Sequence, residues 1–436
     1  MGRPAPNVDP ILVEEIARRL DEPEALEALF RRDPEPFRAA LGAVASAHPD
    51  SLVVRVWKAR LDAEVVPPSA RKSDAAVDVA LVVVLSVIAT IAARWPYLMV
   101  LQSARAYYAA CGGRLVTVPL AVYLLVTAGR PLRLWGVSLA GLLLVGIQSY
   151  LLGTGRLPVR NSDVQALALM HLGVVEWLLL LVPFAGDGWR STGERVAFLR
   201  YSGEVLVVSV VLLFGGILLT GLTYGLFSLH GIDIFDWYRS HVVVWGLLAA
   251  PLVATYLERA GGTRMASRIA LPFVPLLLVT LVAYPVAVAG WGKSLTQHRE
   301  LLIILNATLV AVSAVVVFVV CDRRRREAST LADVLGVALL VVSLAIDAVA
   351  LVVVVWRFVR IGLWTSHVVV VGTNVVLLVF LGGTLREYLR FVRTDAGIDR
   401  VEAWIARYLV VFLAWAVIVG FAVPHYPAAA GSPGIR

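Results

Sequence analysis

Asp347 stands near the middle of an apolar run, Val341-Val342-Ser343-Leu344-Ala345-Ile346-Asp347-Ala348-Val349. A charge there is costly and cannot easily snorkel to an interface. A carboxyl facing a cavity in such a place can carry a proton or bind a cation; the structural alternative is an acid that only locks two helices together. His171 and Glu176 share another apolar segment. The imidazole suits proton transfer near neutral pH and the carboxylate can accept or orient the proton. Their spacing sets them about 140° apart around a helix, so they cannot jointly hold one ion without help from another segment. The structural alternative sets His171 against a neighbouring helix and Glu176 near the far membrane interface. Arg200-Tyr201-Ser202-Gly203-Glu204 gathers a cation, a phenol and a carboxylate, as a gate or ligand contact at the mouth of a span. Its plainer reading is a helix start, with Ser202 as cap and Glu204 in the first turn. Asn306, Asn374 and His367 are supporting polar candidates. No metal-ligand spacing or nucleophile motif occurs, and Gly290-Trp291-Gly292-Lys293-Ser294 lacks the first glycine of a P-loop, with Ala287 in its place. No metal, cofactor or ATP site is therefore expected.

These residues must be positioned by membrane-spanning helices. The chain has 436 residues, 59% hydrophobic and 16% charged, with a mean hydropathy of +0.81, which excludes a soluble multi-domain protein. Its two cysteines, Cys111 and Cys321, are far apart and form no redox or zinc pattern. A core about 30 Å thick needs roughly 20 apolar residues per helix. Runs near 75–94, 114–129, 134–152, 163–185, 203–229, 241–258, 268–290, 300–321, 333–356, 366–383 and 405–423 predict an all-α transmembrane bundle of about 11 spans. The second, short and holding Pro119, is the weakest. Basic residues favour the loops on the N-terminal side by about two to one, so the N-terminus is expected inside and the C-terminus outside. The run Arg323-Arg324-Arg325-Arg326 reads as a topology anchor, and no nucleic-acid partner is expected.

Residues 1–72 form the one soluble-looking stretch, a small helical cytosolic module and linker. Asp9-Pro10, Asp21-Glu22-Pro23 and Asp33-Pro34 write its helix starts. It is too small to be robust alone, so it is expected to lean on the membrane domain, residues 73–423, or on a cytosolic protein partner. Residues 424–436 are a short external tail. Ser162-Asp163-Val164-Gln165 fits a capping box. Gly221 and Gly225 make a packing motif, and Pro251, Pro272, Pro275 and Pro285 interrupt two spans as in many transporters.

Three ordered motifs carry a resemblance: Asn161-Ser162-Asp163 with Leu169-Met170-His171-Leu172, then Phe198-Leu199-Arg200-Tyr201-Ser202-Gly203-Glu204, then Leu219-Thr220-Gly221-Leu222-Thr223-Tyr224-Gly225-Leu226-Phe227. In these, and over about residues 75–423, the chain resembles a family of polytopic bacterial inner-membrane proteins catalogued only as a domain of unknown function. Arg357-Phe358-Val359-Arg360-Ile361-Gly362-Leu363 is similar to the family's Arg-Ile-x-x-Tyr-Gly-Ile stretch. Where the family continues Thr-x-Asn-Arg, this chain has Trp364-Thr365-Ser366-His367 and lacks the arginine. The resemblance implies a membrane fold in the bacterial cytoplasmic membrane and brings no activity. Three functions stay open: proton-coupled transport or conductance of a small solute or ion, with Asp347, His171, Glu176 and Glu204 central; a scaffold or sensor recruiting a partner through residues 1–72; and an intramembrane enzyme acting on lipid or envelope precursors.

Overall fold

The computed structural model describes residues 10–32, 34–48, 51–64, 75–98, 107–108, 111–157, 159, 162–229, 233–261, 278–279, 282, 309–310, 312–314, 317, 330–361, 365–393 and 398–425. Among them every regular element is helical, and the chain divides into two compact units, Met1–Lys72 and Ser73–Arg436. The expected spans 268–290 and 300–321, with Asn306, Pro272, Pro275 and Pro285, lie outside the described residues or are described at isolated positions only.

In the first unit, α1 (Pro10–Arg18), α2 (Pro23–Arg32) and α3 (Pro34–Ala47) each begin at the proline of a predicted start, and α4 (Leu52–Glu64) follows them. Their apolar faces enclose Ile16, Leu26, Phe37, Leu41, Val44, Val54 and Trp57. Arg60 clamps this core from the rim: it bonds both carboxylate oxygens of Glu27, and its guanidinium lies 4.6 Å from the centroid of the Trp57 ring.

The second unit is built from α5 (Ala75–Leu98), α6 (Arg114–Thr127), α7 (Leu132–Gly153), α8 (Ser162–Leu179), α9 (Leu181–Ala185), α10 (Thr192–Leu229), α11 (Phe235–Tyr238), α12 (Val244–Gly261), α13 (Thr330–Ile361), α14 (Thr365–Arg393) and α15 (Asp399–Val417). Eight of its described helical stretches are long and apolar enough to cross a membrane. The helix α6 is apolar but shorter, 14 residues or about 21 Å, below the reach of a hydrocarbon core.

Two helix starts differ from their sequence reading because a neighbouring helix takes the capping side chain. Gln165 donates to Leu152 O at the end of α7 rather than back to Ser162. The helix α10 begins ten residues before Ser202: Ser191 caps it, its Oγ accepting from Glu194 N at 3.2 Å, and Ser202 lies inside the helix, accepting from Trp177 Nε1 at 3.2 Å. At the α6–α7 turn, Arg130 donates to the Pro183 and Phe184 carbonyls that α9 leaves open at its end. Gly186, at φ 62°, keeps room for that guanidinium, which a Cβ would overlap.

Arginines collect at one end of the bundle, here the basic end. There Arg133 meets Asp187 at 2.6 Å, Arg195 donates to Trp189 O at 3.1 Å, and Arg386, Arg390 and Arg393 close α14. The opposite end carries Thr365 and His425. Two π-turns, Arg239–Val243 and Ile418–Ala422, interrupt helices toward that opposite end.

Candidate functional site

The helices α13 and α14 run antiparallel and make the most extensive pairing among the described elements. Each offers the other a seam with alternating three- and four-residue steps, the spacing that keeps one face toward a partner. On α13 the seam is Asp333, Gly336, Leu340, Ser343, Asp347, Ala350 and Val354; on α14 it is His367, Val370, Asn374, Leu377, Leu381, Thr384 and Tyr388. Two observations set the register. Tyr388 donates to Asp333 Oδ1 at 3.0 Å, and a Cβ on Gly336 would lie 3.2 Å from the Tyr388 hydroxyl. Stepping along both seams from there brings Asp347 level with the turn of α14 that holds Asn374 and Leu377.

Most polar groups of the seam are satisfied locally. Ser343 donates to Leu339 O at 2.6 Å and Thr384 to Phe380 O at 2.7 Å. Asp347 and Asn374 are different. They are 0% and 1% exposed, and neither the two carboxylate oxygens of Asp347 nor the amide oxygen and nitrogen of Asn374 has a hydrogen-bond partner among the described residues. Leaving such groups unmet costs about 1–3 kcal/mol each, and more for a charge. Both residues lie on the paired helices α13 and α14, in an otherwise apolar wall. A carboxylate can persist there only with a proton or a cation beside it.

Thr373, the residue before Asn374, turns to α8 and α15: its Oγ1 lies 3.4 Å from His171 Nε2 and accepts from Trp415 Nε1 at 3.0 Å. His171 Nδ1, 2.8 Å from Leu167 O, is assigned the ring proton, which leaves Nε2 as the acceptor. The Thr373 hydroxyl thus has two acceptors, Val369 O at 2.9 Å and His171 Nε2. Gly372 admits the Trp415 indole, where a Cβ would overlap the ring. Toward the opposite end, Leu172 packs on Gly420, whose carbonyl accepts from Gln148 Nε2 at 3.1 Å; Gln148 Nε2 is also 3.3 Å from Nε2 of the exposed His425. His367, half-buried, shares the α14 seam with Asn374 two turns away. Polar groups thus occur at three places: Gln148 with His425 toward the opposite end, His171 with Thr373 between α8 and α14, and Asp333 with Tyr388 at the basic end.

Glu176 is buried inside the bundle. It sits at the middle of the Ser162–Arg190 span, 3% exposed, and accepts from Arg114 Nη1 at 2.7 Å. Its other oxygen faces Gly113 so closely that a Cβ there would overlap it. The helix α6 thus begins inside the bundle, and Glu176 answers both the guanidinium and the positive end of the helix dipole. Nothing in the sequence flagged this partner. Arg114 stands 62 positions before Glu176 and reads as an ordinary loop arginine.

The remaining candidates disperse. Arg200 pairs with Glu402 on α15, whereas Tyr201, one residue on, turns to α12, its hydroxyl 3.0 Å from Thr255 Oγ1 and its ring stacked on Phe184 at 4.9 Å. Glu204 is half-buried one turn beyond Arg200. The expected gate is therefore divided between two helix contacts.

The fold and these polar sites define an all-helical, multi-pass integral membrane protein. No protein-family model matches the chain, nor does any curated protein or solved structure compared with it.

Proposed function

We propose that this chain translocates protons or a small monovalent cation through the α13–α14 seam, with Asp347 as the central acceptor. The observation that carries this reading is that two side chains on the paired helices, Asp347 and Asn374, are buried and partnerless. Asn374 would complete the coordination of whatever Asp347 takes up. His171, Thr373 and His367 serve the approach from the opposite end, and Asp333 and Tyr388 the exit at the basic end. Steps longer than a hydrogen bond need water or a side-chain rotation. The proposal includes about 11 spans with the N-terminus inside, supported by the arginines at the basic end, and the motif resemblance to bacterial inner-membrane proteins.

Purified protein in sealed vesicles with an imposed pH or cation gradient tests this. Wild type should dissipate the gradient and Asp347→Asn should not, at equal folded yield. Equal flux through both sinks the proposal. Absent flux in wild type would favour a second reading, a recruiting scaffold, to which the separately cored Met1–Lys72 unit lends support.

A further inference from the structure

At the basic ends of α14 and α15 a cavity of about 350 Å³ opens between the two helices, lined by Glu387, Asp399, Arg400, Ala403, Trp404 and Arg407. That volume lies in the range of small-ligand sites. The Trp404 indole forms one wall. It is seated against Gly383, where a Cβ would overlap it, and its Nε1 donates to Phe380 O at 3.3 Å. Arg407 is held along its own helix, its Nε donating to Ala403 O at 3.0 Å, and it lines the groove together with Arg400. Two guanidinium groups are thereby drawn to one groove. Glu387 does not neutralise them, because Arg390 holds its carboxylate at 3.0 Å with Arg386 3.9 Å away. Asp399, exposed at the first turn of α15, places one further carboxylate at the rim.

Two exposed cations beside one exposed acid, with an indole wall at the end of membrane-length helices, match a headgroup that carries a phosphate next to an ammonium. We infer that this groove binds the phosphoethanolamine headgroup of a membrane phospholipid. Arg400 and Arg407 take the phosphate. Asp399 takes the ammonium, and Trp404 lies against the glycerol and upper chains at the depth where indoles favour the interface. This site is separate from the α13–α14 seam and stands whether or not the seam conducts.

Native mass spectrometry of the full chain during graded delipidation tests the inference, with defined ethanolamine, glycerol and choline phospholipids added back. Wild type is expected to retain an ethanolamine phospholipid that Arg400→Ala/Arg407→Ala loses, while Arg386→Ala, outside the groove, retains it. Asp399→Asn should still hold phospholipid but lose the preference for ethanolamine over glycerol headgroups. Equal retention by wild type and the double variant overturns the site. An unchanged preference in Asp399→Asn overturns the ammonium contact. If soluble O-phosphoethanolamine displaces the lipid and raises the melting temperature of delipidated protein as much as the lipid does, the ligand is a free phosphate ester and the lipid assignment fails.

Discussion

Two carboxylates are buried within membrane-length helical stretches of this protein, and they are treated in opposite ways. Glu176 has a guanidinium at 2.7 Å and a helix N-terminus against its second oxygen. Asp347 has neither. A buried pair offsets its own desolvation and fixes geometry, whereas a buried single acid keeps a standing demand for a counter-charge. Burial alone therefore does not mark a working group. The difference between Glu176 as a fastening and Asp347 as a receiver is made by partners contributed from distant parts of the chain.

The sharpest way to break this comparison is to unpair Glu176. Glu176→Gln leaves Arg114 buried without a counter-ion and should cost about 3–5 kcal/mol in a reversible unfolding titration in mixed micelles. Arg114→Met/Glu176→Leu should recover most of that loss. Failure of the double variant to recover would mean that the pair does more than fasten α6 to α8. Asp347→Leu should move the other way, raising stability by about 1–3 kcal/mol while gradient dissipation is lost. A destabilised Asp347→Leu would instead make the acid a packing element. Gly372→Ala pushes the Trp415 indole off α14 and should cost about 1–3 kcal/mol, read in the same titration together with a shift of tryptophan fluorescence. The smallest change is Thr373→Val, which removes the acceptor of Trp415 Nε1–H and should cost about 0.5–1.5 kcal/mol. It should slow, without abolishing, flux that depends on His171.

Hydropathy made the long spans legible, because about 20 apolar residues in succession have few other uses in a protein. Asp347 was legible for the same reason, as an interruption of such a run. Partners were not. Glu176 reads as an interfacial acid until α6 is seen to start inside the bundle, and that depends on Gly113 and Arg114 meeting a helix far along the chain. Ser202 and Gln165 read as caps because the local pattern fits one, but Trp177 and Leu152 are better placed to take them. The seams on α13 and α14 could be counted in the sequence; their register could not, since it rests on the Asp333–Tyr388 contact.

That contact also has a mechanical meaning. Along its length α14 is fastened to α15 through Trp404 to Phe380 O, Tyr408 to Val376 O at 2.8 Å and Trp415 to Thr373. Its hydrogen bond to α13 from Tyr388 lies at the basic end. Because α14 packs on α13 even more extensively than on α15, the three helices carry load as one slab, with the Tyr388–Asp333 bond as a clasp at its basic end. Asp347 sits about 21 Å along α13 from that clasp, by the rise of 1.5 Å per residue. Moving the acid out of the seam therefore means unpacking a length of helix interface, not swinging it about one hydrogen bond.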